Sequence, residues 1–125
     1  MANLLRYTMY GQYWSRHDAG DWKKILANSR LFVAEIQLEG SKFTGKMIDP
    51  FGEAQITEGE FVSDQEIKFV KTYDAEAQKR GGSRIPVAYQ LNETEMGGWF
   101  GDWTIPPHDD ARESMVNGNV VMTIE

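Results

Sequence analysis

Between residues 42 and 73 the chain reads KFTGKMIDPFGEAQITEGEFVSDQEIKFVKTY, with apolar and polar residues alternating on either side of Asp49-Pro50-Phe51-Gly52 and of Ser63-Asp64-Gln65-Glu66. Period-two alternation sends successive side chains to opposite faces of a strand, and Pro followed by Gly suits the backbone of a tight turn. The stretch therefore predicts three antiparallel strands, residues 42–48, 53–62 and 66–73, joined by hairpins. Phe43, Gly45 and Met47 share the inward face of the first; Ile67, Phe69, Lys71 and Tyr73 share a face of the third. The middle strand is inconsistent, because Ala54 and Ile56 fall on one face with Glu58 and Glu60. Either a bulge at Gly59 switches the faces or a carboxylate points inward.

The same pattern extends in both directions. Residues 6–14 predict an aromatic-rich strand with Gly11 at a bend; Tyr7, Met9, Gly11 and Tyr13 lie on one face and Tyr10 and Trp14 on the other, which leaves its inward side open. Residues 15–30 hold either one or two helical turns capped by Asp21, with Trp22, Ile25 and Leu26 opposite Lys23-Lys24, or an irregular loop. Residues 31–39 alternate well, with Phe32, Ala34, Ile36 and Leu38 inward, and Gly40-Ser41 turns the chain. After residue 73, Asp74 caps a helical turn that stops at Gly81-Gly82. A strand follows over 84–91, irregular near Pro86, then a turn at Asn92-Glu93-Thr94-Glu95 and a strand over 97–105 ended by Pro106-Pro107. Asn117-Gly118 reads as a turn into a last strand, 119–124.

Eight short strands in hairpin succession leave two unpaired edges unless the first and last pair. Closing the sheet removes those edges, and about eight strands enclose a lumen wide enough for side chains or one small ligand. The expected fold is all-β, an eight-stranded antiparallel up-and-down barrel with one or two short helical turns, in a single domain over residues 1–125. Gly11-Gln12-Tyr13-Trp14, the Gly-containing hairpins, and the Gly97-x-x-x-Gly101-x-Trp103 order resemble the calycin-type barrels, that is, streptavidin-like proteins, lipocalins and fatty-acid-binding proteins. The resemblance covers nearly the whole chain in strand order. It implies a barrel with a pocket at one end, and it carries over no individual ligand residue.

Composition narrows the function classes. Hydrophobic residues at 41% and aromatics at 12% of 125 residues are those of a folded chain. A net charge of −6 with scattered basic residues offers no positive patch to displace counterions, so nucleic acid and anionic membrane surfaces are not expected partners. Absence of Cys removes disulfides, thiol nucleophiles and cysteine metal sites. No signal-like or membrane-length apolar run is present, and a cytoplasmic location is expected.

Lys71 is the first candidate for chemistry. Between Phe69 and Tyr73 on an apolar face, its ammonium needs a carboxylate or an anionic ligand to offset desolvation, and Glu58 or Glu60 on the preceding strand would be that partner. A bulge that turns Lys71 outward, or a purely structural ion pair, accounts for the same pattern. Tyr13, Tyr73, Tyr89, Trp99 and Trp103 either line a pocket with Lys71 and Glu58 or simply fill the barrel. His17-Asp18 and His108-Asp109-Asp110 would offer imidazoles and carboxylates to a metal only if their loops met. No metal and no cofactor are expected. No Gly-x-Ser-x-Gly and no phosphate-binding Gly loop leading into a helix occurs, and no catalytic residue is assigned.

The expected function is non-enzymatic binding of a small, partly apolar or anionic molecule in the lumen. The alternatives are a filled barrel serving as a scaffold for a protein partner or a second copy in a homodimer, and an isomerase or cyclase using an inward acid.

Overall fold

In a computed structural model that describes residues 4–106 and 116–125, eight strands close into one antiparallel barrel in chain order. They are β1 (Leu5–Ser15), β2 (Arg30–Glu39), β3 (Lys42–Asp49), β4 (Gly52–Ser63), β5 (Glu66–Tyr73), β6 (Val87–Glu93), β7 (Trp99–Ile105) and β8 (Val116–Ile124). Closure comes from β1 pairing with β8, from Met9 opposite Ile124 to Ser15 opposite Gly118. Each strand thus has two partners, and among the described residues the sheet has no free edge. Two short helices, α1 (Trp22–Asn28) and α2 (Ala75–Lys79), lie in the connections at one end. Asp21 and Asp74 cap them by accepting from first-turn N–H groups, as the sequence pattern predicts.

The inward side of β1, open from sequence, carries Met9 and Tyr13, both buried. Of the two alternatives for β4, the structure shows the bulge, one residue before Gly59. Between the pairs Phe43–Gly59 and Gly45–Ile56, and again between Glu60–Lys68 and Thr57–Val70, β4 advances one residue more than its neighbour. The extra residue is Glu58, at φ 52°, a left-handed conformation that side chains other than Gly rarely adopt. The bulge moves the inward set from Ala54 and Ile56 to Gly59 and Phe61. Glu58 and Glu60 are thereby turned out of the barrel, Glu58 exposed and Glu60 beside Lys42 and Lys68 at 3.5 and 3.7 Å. Neither is the partner of Lys71.

Two boundaries differ from expectation. β6 starts at Val87 because Pro86 has no N–H for the ladder, and the preceding residues turn on Ser83, whose hydroxyl accepts from Ile85 N–H at 3.0 Å. Asn117-Gly118 lies within β8 and is not a turn. Gly118 is needed there because a Cβ would lie 2.6 Å from Trp103 Nε1 and against the Trp14 carbonyl.

The lumen divides along its length. Toward the tight hairpins it is packed solid with Met9, Ile36, Phe43, Ile67, Phe69, Leu91 and Met122, with Phe43 set over Gly59 and its ring 5.7 and 6.0 Å from those of Phe61 and Phe69. Toward the end that carries α1 and α2 it opens.

Candidate functional site

The inward positions nearest the open end form a chamber of about 500 Å³, walled by Tyr13, Phe51, Tyr73, Ile85, Val87, Tyr89, Trp103 and Ile105, with Lys71 at its floor and Arg30 and Arg84 also lining it. That volume, mostly apolar with a few placed polar groups, lies in the range of small-molecule sites. Adjacent strands supply the floor: Lys71 is opposite Ile56 on β4 and Val87 on β6, and Tyr13 is opposite Arg30 on β2.

Lys71 points inward, with 2% of its side chain exposed, and its partner is Asp49, whose side chain is fully buried. Lys71 Nζ donates to the Tyr73 hydroxyl at 2.8 Å and lies 3.4 Å from Asp49 Oδ2. The same carboxylate oxygen accepts from the Tyr13 hydroxyl at 2.9 Å and from the Tyr73 hydroxyl, while Asp49 Oδ1 accepts from Phe51 N–H at 2.9 Å. Both lone-pair-bearing oxygens of the buried carboxylate are therefore satisfied, the condition under which a buried ion pair is tolerated. Three phenol rings surround the ammonium, their centroids 4.4, 4.8 and 5.3 Å away for Tyr73, Tyr13 and Tyr89. Ring faces of this kind attract a cation that has lost its water.

Burial dominates the electrostatics. It pulls the Lys71 ammonium down to about 8, against the opposing pull of Asp49 and with a smaller push in the same direction from Arg30. Burial likewise raises the phenols of Tyr13, Tyr73 and Tyr89, so all three stay protonated donors across the neutral range. Arg30, at the rim, stacks over Phe51 at 4.7 Å and makes no ion pair among the described residues. A chain of net charge −6 thus lines this chamber with Lys71, buried against Asp49, and with the exposed Arg30 and Arg84.

Of the residues singled out from sequence, Lys71, Tyr73, Tyr13, Tyr89 and Trp103 come together here. Trp103 is held by its indole N–H, which donates to the Trp14 carbonyl at 3.0 Å. Trp99 does not join them. It stands at the opposite end, edge-on to Phe61 at 6.0 Å, in a shallower hollow of about 520 Å³ with Tyr7, Leu38 and Ile124, where Asp64 is the one charged lining residue. Glu58 stands outside the barrel for the reason given by the bulge.

Sequence reading missed Asp49, Arg30 and Phe51, although the signal for the first two was present. Continuing the inward series Phe43, Gly45, Met47 by one step reaches Asp49, and continuing Phe32, Ala34 backwards reaches Arg30. Assigning Asp49 wholly to the turn stopped the alternation one residue early. The Asp49 carboxylate does both jobs, holding the turn through Oδ1 and facing the lumen through Oδ2.

His17 sits exposed on a single 3-10 turn (Arg16–Asp18), and His108, Asp109 and Asp110 lie outside the described residues. Among the described residues no three His, Cys, Asp or Glu side chains converge as metal ligands do, and no helix is long and apolar enough to cross a membrane. Compared with protein-family models, with curated proteins and with solved structures, the chain finds no match.

Proposed function

We propose that this barrel binds a small molecule with an apolar body and an anionic group, seated in the chamber with the anion toward Arg30 and Lys71. The observation that carries the reading is the charge of the lining. Lys71, Arg30 and Arg84 are concentrated on one apolar aromatic cavity in an otherwise acidic protein. The hollow at the other end, equal in size, has no cation among its lining residues. Position matters as well, because an ion pairs more strongly inside an apolar wall than on open surface. The calycin resemblance supports the same reading, since a closed barrel with a lumen open at one end is the arrangement it implies. A scaffold with a filled barrel would have no use for the open half.

Titration with anilinonaphthalene sulfonate, an apolar body carrying one anion, tests the reading. Saturable fluorescence enhancement at one site per chain is expected, with quenching of Trp103. Arg30→Gln is expected to weaken binding about fivefold, the worth of one partly exposed charge contact, and to leave the neutral analogue N-phenylnaphthylamine unaffected. Equal affinity for the two dyes, or a site unaffected by Arg30→Gln, would overturn it.

A further inference from the structure

We propose that Lys71 captures ligands bearing an aldehyde or ketone as an imine, so that the chamber holds carbonyl compounds covalently and reversibly. This rests on the reading that the chamber admits a small molecule, and it names a class among those molecules. A primary amine forms an imine when it is unprotonated, when an acid stands ready to protonate the departing oxygen, and when water is kept from reversing the product.

The geometry supplies each. Lys71 lies at the floor of the chamber, which a carbonyl compound enters from the open end. The Tyr73 hydroxyl is 2.8 Å from the amine, and Asp49 Oδ2 is 3.4 Å away and bonded to both Tyr73 and Tyr13. Three phenol rings surround the nitrogen. Burial favours the neutral amine more than Asp49 favours the ammonium, and the Arg30 charge adds a smaller push toward the neutral form, so the amine is available at mildly alkaline pH.

The step balances within the site. The Lys71 lone pair attacks the carbonyl carbon, and the C=O π pair moves to oxygen. The first N–H proton passes toward Asp49, and the carbonyl oxygen takes a proton from the Tyr73 hydroxyl. Asp49 then returns its proton to the carbinolamine oxygen, which leaves as water, while the second N–H proton restores the phenol. The sum is amine plus aldehyde giving imine plus water, with no oxidant or reductant.

The test uses para-formylbenzoate at pH 8, an aldehyde with the anionic group already argued for, and cyanoborohydride to reduce any imine to a stable secondary amine that peptide mapping locates. Labelling of Lys71 in the native protein is expected to outrun that of exposed Lys23, Lys42 and Lys68 by about tenfold or more. Mapping the unmodified chain needs no variant to fold. Tyr73→Phe is expected to lower the limiting rate at saturating aldehyde by at least about tenfold, with a smaller change in the half-saturating concentration, as loss of a general acid does and loss of packing does not. Label spread over the exposed lysines, or a limiting rate that ignores Tyr73→Phe, would overturn imine formation. If the sulfonate dye still binds saturably in that case, the lumenal site stands and only the covalent step falls. If neither dye nor aldehyde binds, both readings fall.

Discussion

At the hairpin end of the lumen, Phe43 lies over Gly59 between the rings of Phe61 and Phe69, and none of the buried core residues there is charged. At the other end the same strands, two to six residues further along, place Asp49, Lys71, Tyr13 and Tyr73 on the inward face around empty space. β3 and β5 each cross from one regime to the other: Phe43 and Met47 give way to Asp49, and Ile67 and Phe69 give way to Lys71 and Tyr73. Alternation decides which face a residue takes. The choice of residue along that face divides the barrel into a half that stabilises it and a half that can accept something.

If that division is real, truncation in the packed half should be the most damaging change to stability while leaving the chamber alone. Phe43→Ala is expected to lose about 3–5 kcal/mol in urea unfolding, because the Gly59 backbone beneath it cannot move in to fill the space. Affinity for the sulfonate dye in the folded variant should stay within about twofold, since a change this size, about 0.4 kcal/mol, is what distant independent sites show. A large loss of affinity would join the two halves into one unit and break the comparison.

In the open half the corresponding experiment concerns charge. Asp49→Leu strands the Lys71 ammonium among three phenols, and a loss of about 3 kcal/mol is expected. Adding Lys71→Met should recover most of it, because an apolar pair of similar volume needs no desolvation to be offset. Recovery would mean that the ion pair is retained for something other than stability. A double variant as unstable as the single one would make the pair structural and remove the main reason to treat this half as a site.

Much of this was legible in the sequence because one rule, period two, governs nearly every residue. It gave the eight strands, the inward Lys71 and the aromatic company of Tyr13, Tyr73, Tyr89 and Trp103. What it could not give was position along the barrel axis, which depends on register between strands far apart in the chain. Trp99 and Trp103 share a face of β7, yet register places one opposite Glu93 and Met122 near the hairpins and the other opposite Tyr89 and Gly118 near the opening. Glu58 was misplaced for a different reason: an inserted residue inverts the parity that the rule relies on. Asp49 was overlooked because its turn-forming role is the stronger local signal.

A pH series separates the halves by titration, since Lys71, whose ammonium burial pulls down, lies in the open half. The folded state holds Lys71 at about 8, below the ordinary lysine value near 10.5, so between those values the unfolded chain binds more protons. Stability should therefore rise with pH above 8, by at most about 1.4 kcal/mol per unit, and fall back as pH drops through 8. Above about 10 the raised phenols of Tyr13, Tyr73 and Tyr89 act oppositely, because unfolding then releases their protons. A maximum between pH 9 and about 10 is expected in urea midpoints, and Lys71→Met should abolish the rising limb. A rising limb that survives in Lys71→Met would assign it to another group.

The smallest effect expected belongs to the bulge that sets up the packed half. Glu58 holds φ 52° on the outside of β4 and forms none of the ion pairs that Glu60 makes with Lys42 and Lys68. Its side chain therefore adds left-handed strain without a compensating contact. Glu58→Gly relieves about 1 kcal/mol of that strain while the added freedom of the unfolded chain costs about 0.5 kcal/mol, so a net gain of about 0.5 kcal/mol is expected in urea unfolding. Dye affinity should not change, because Glu58 faces solvent on the far side of the wall from Lys71. A net loss would mean that the bulge depends on Glu58 itself. The switch that brings Gly59 under Phe43 would then be specified by the carboxylate's own contacts, and not by the extra residue alone.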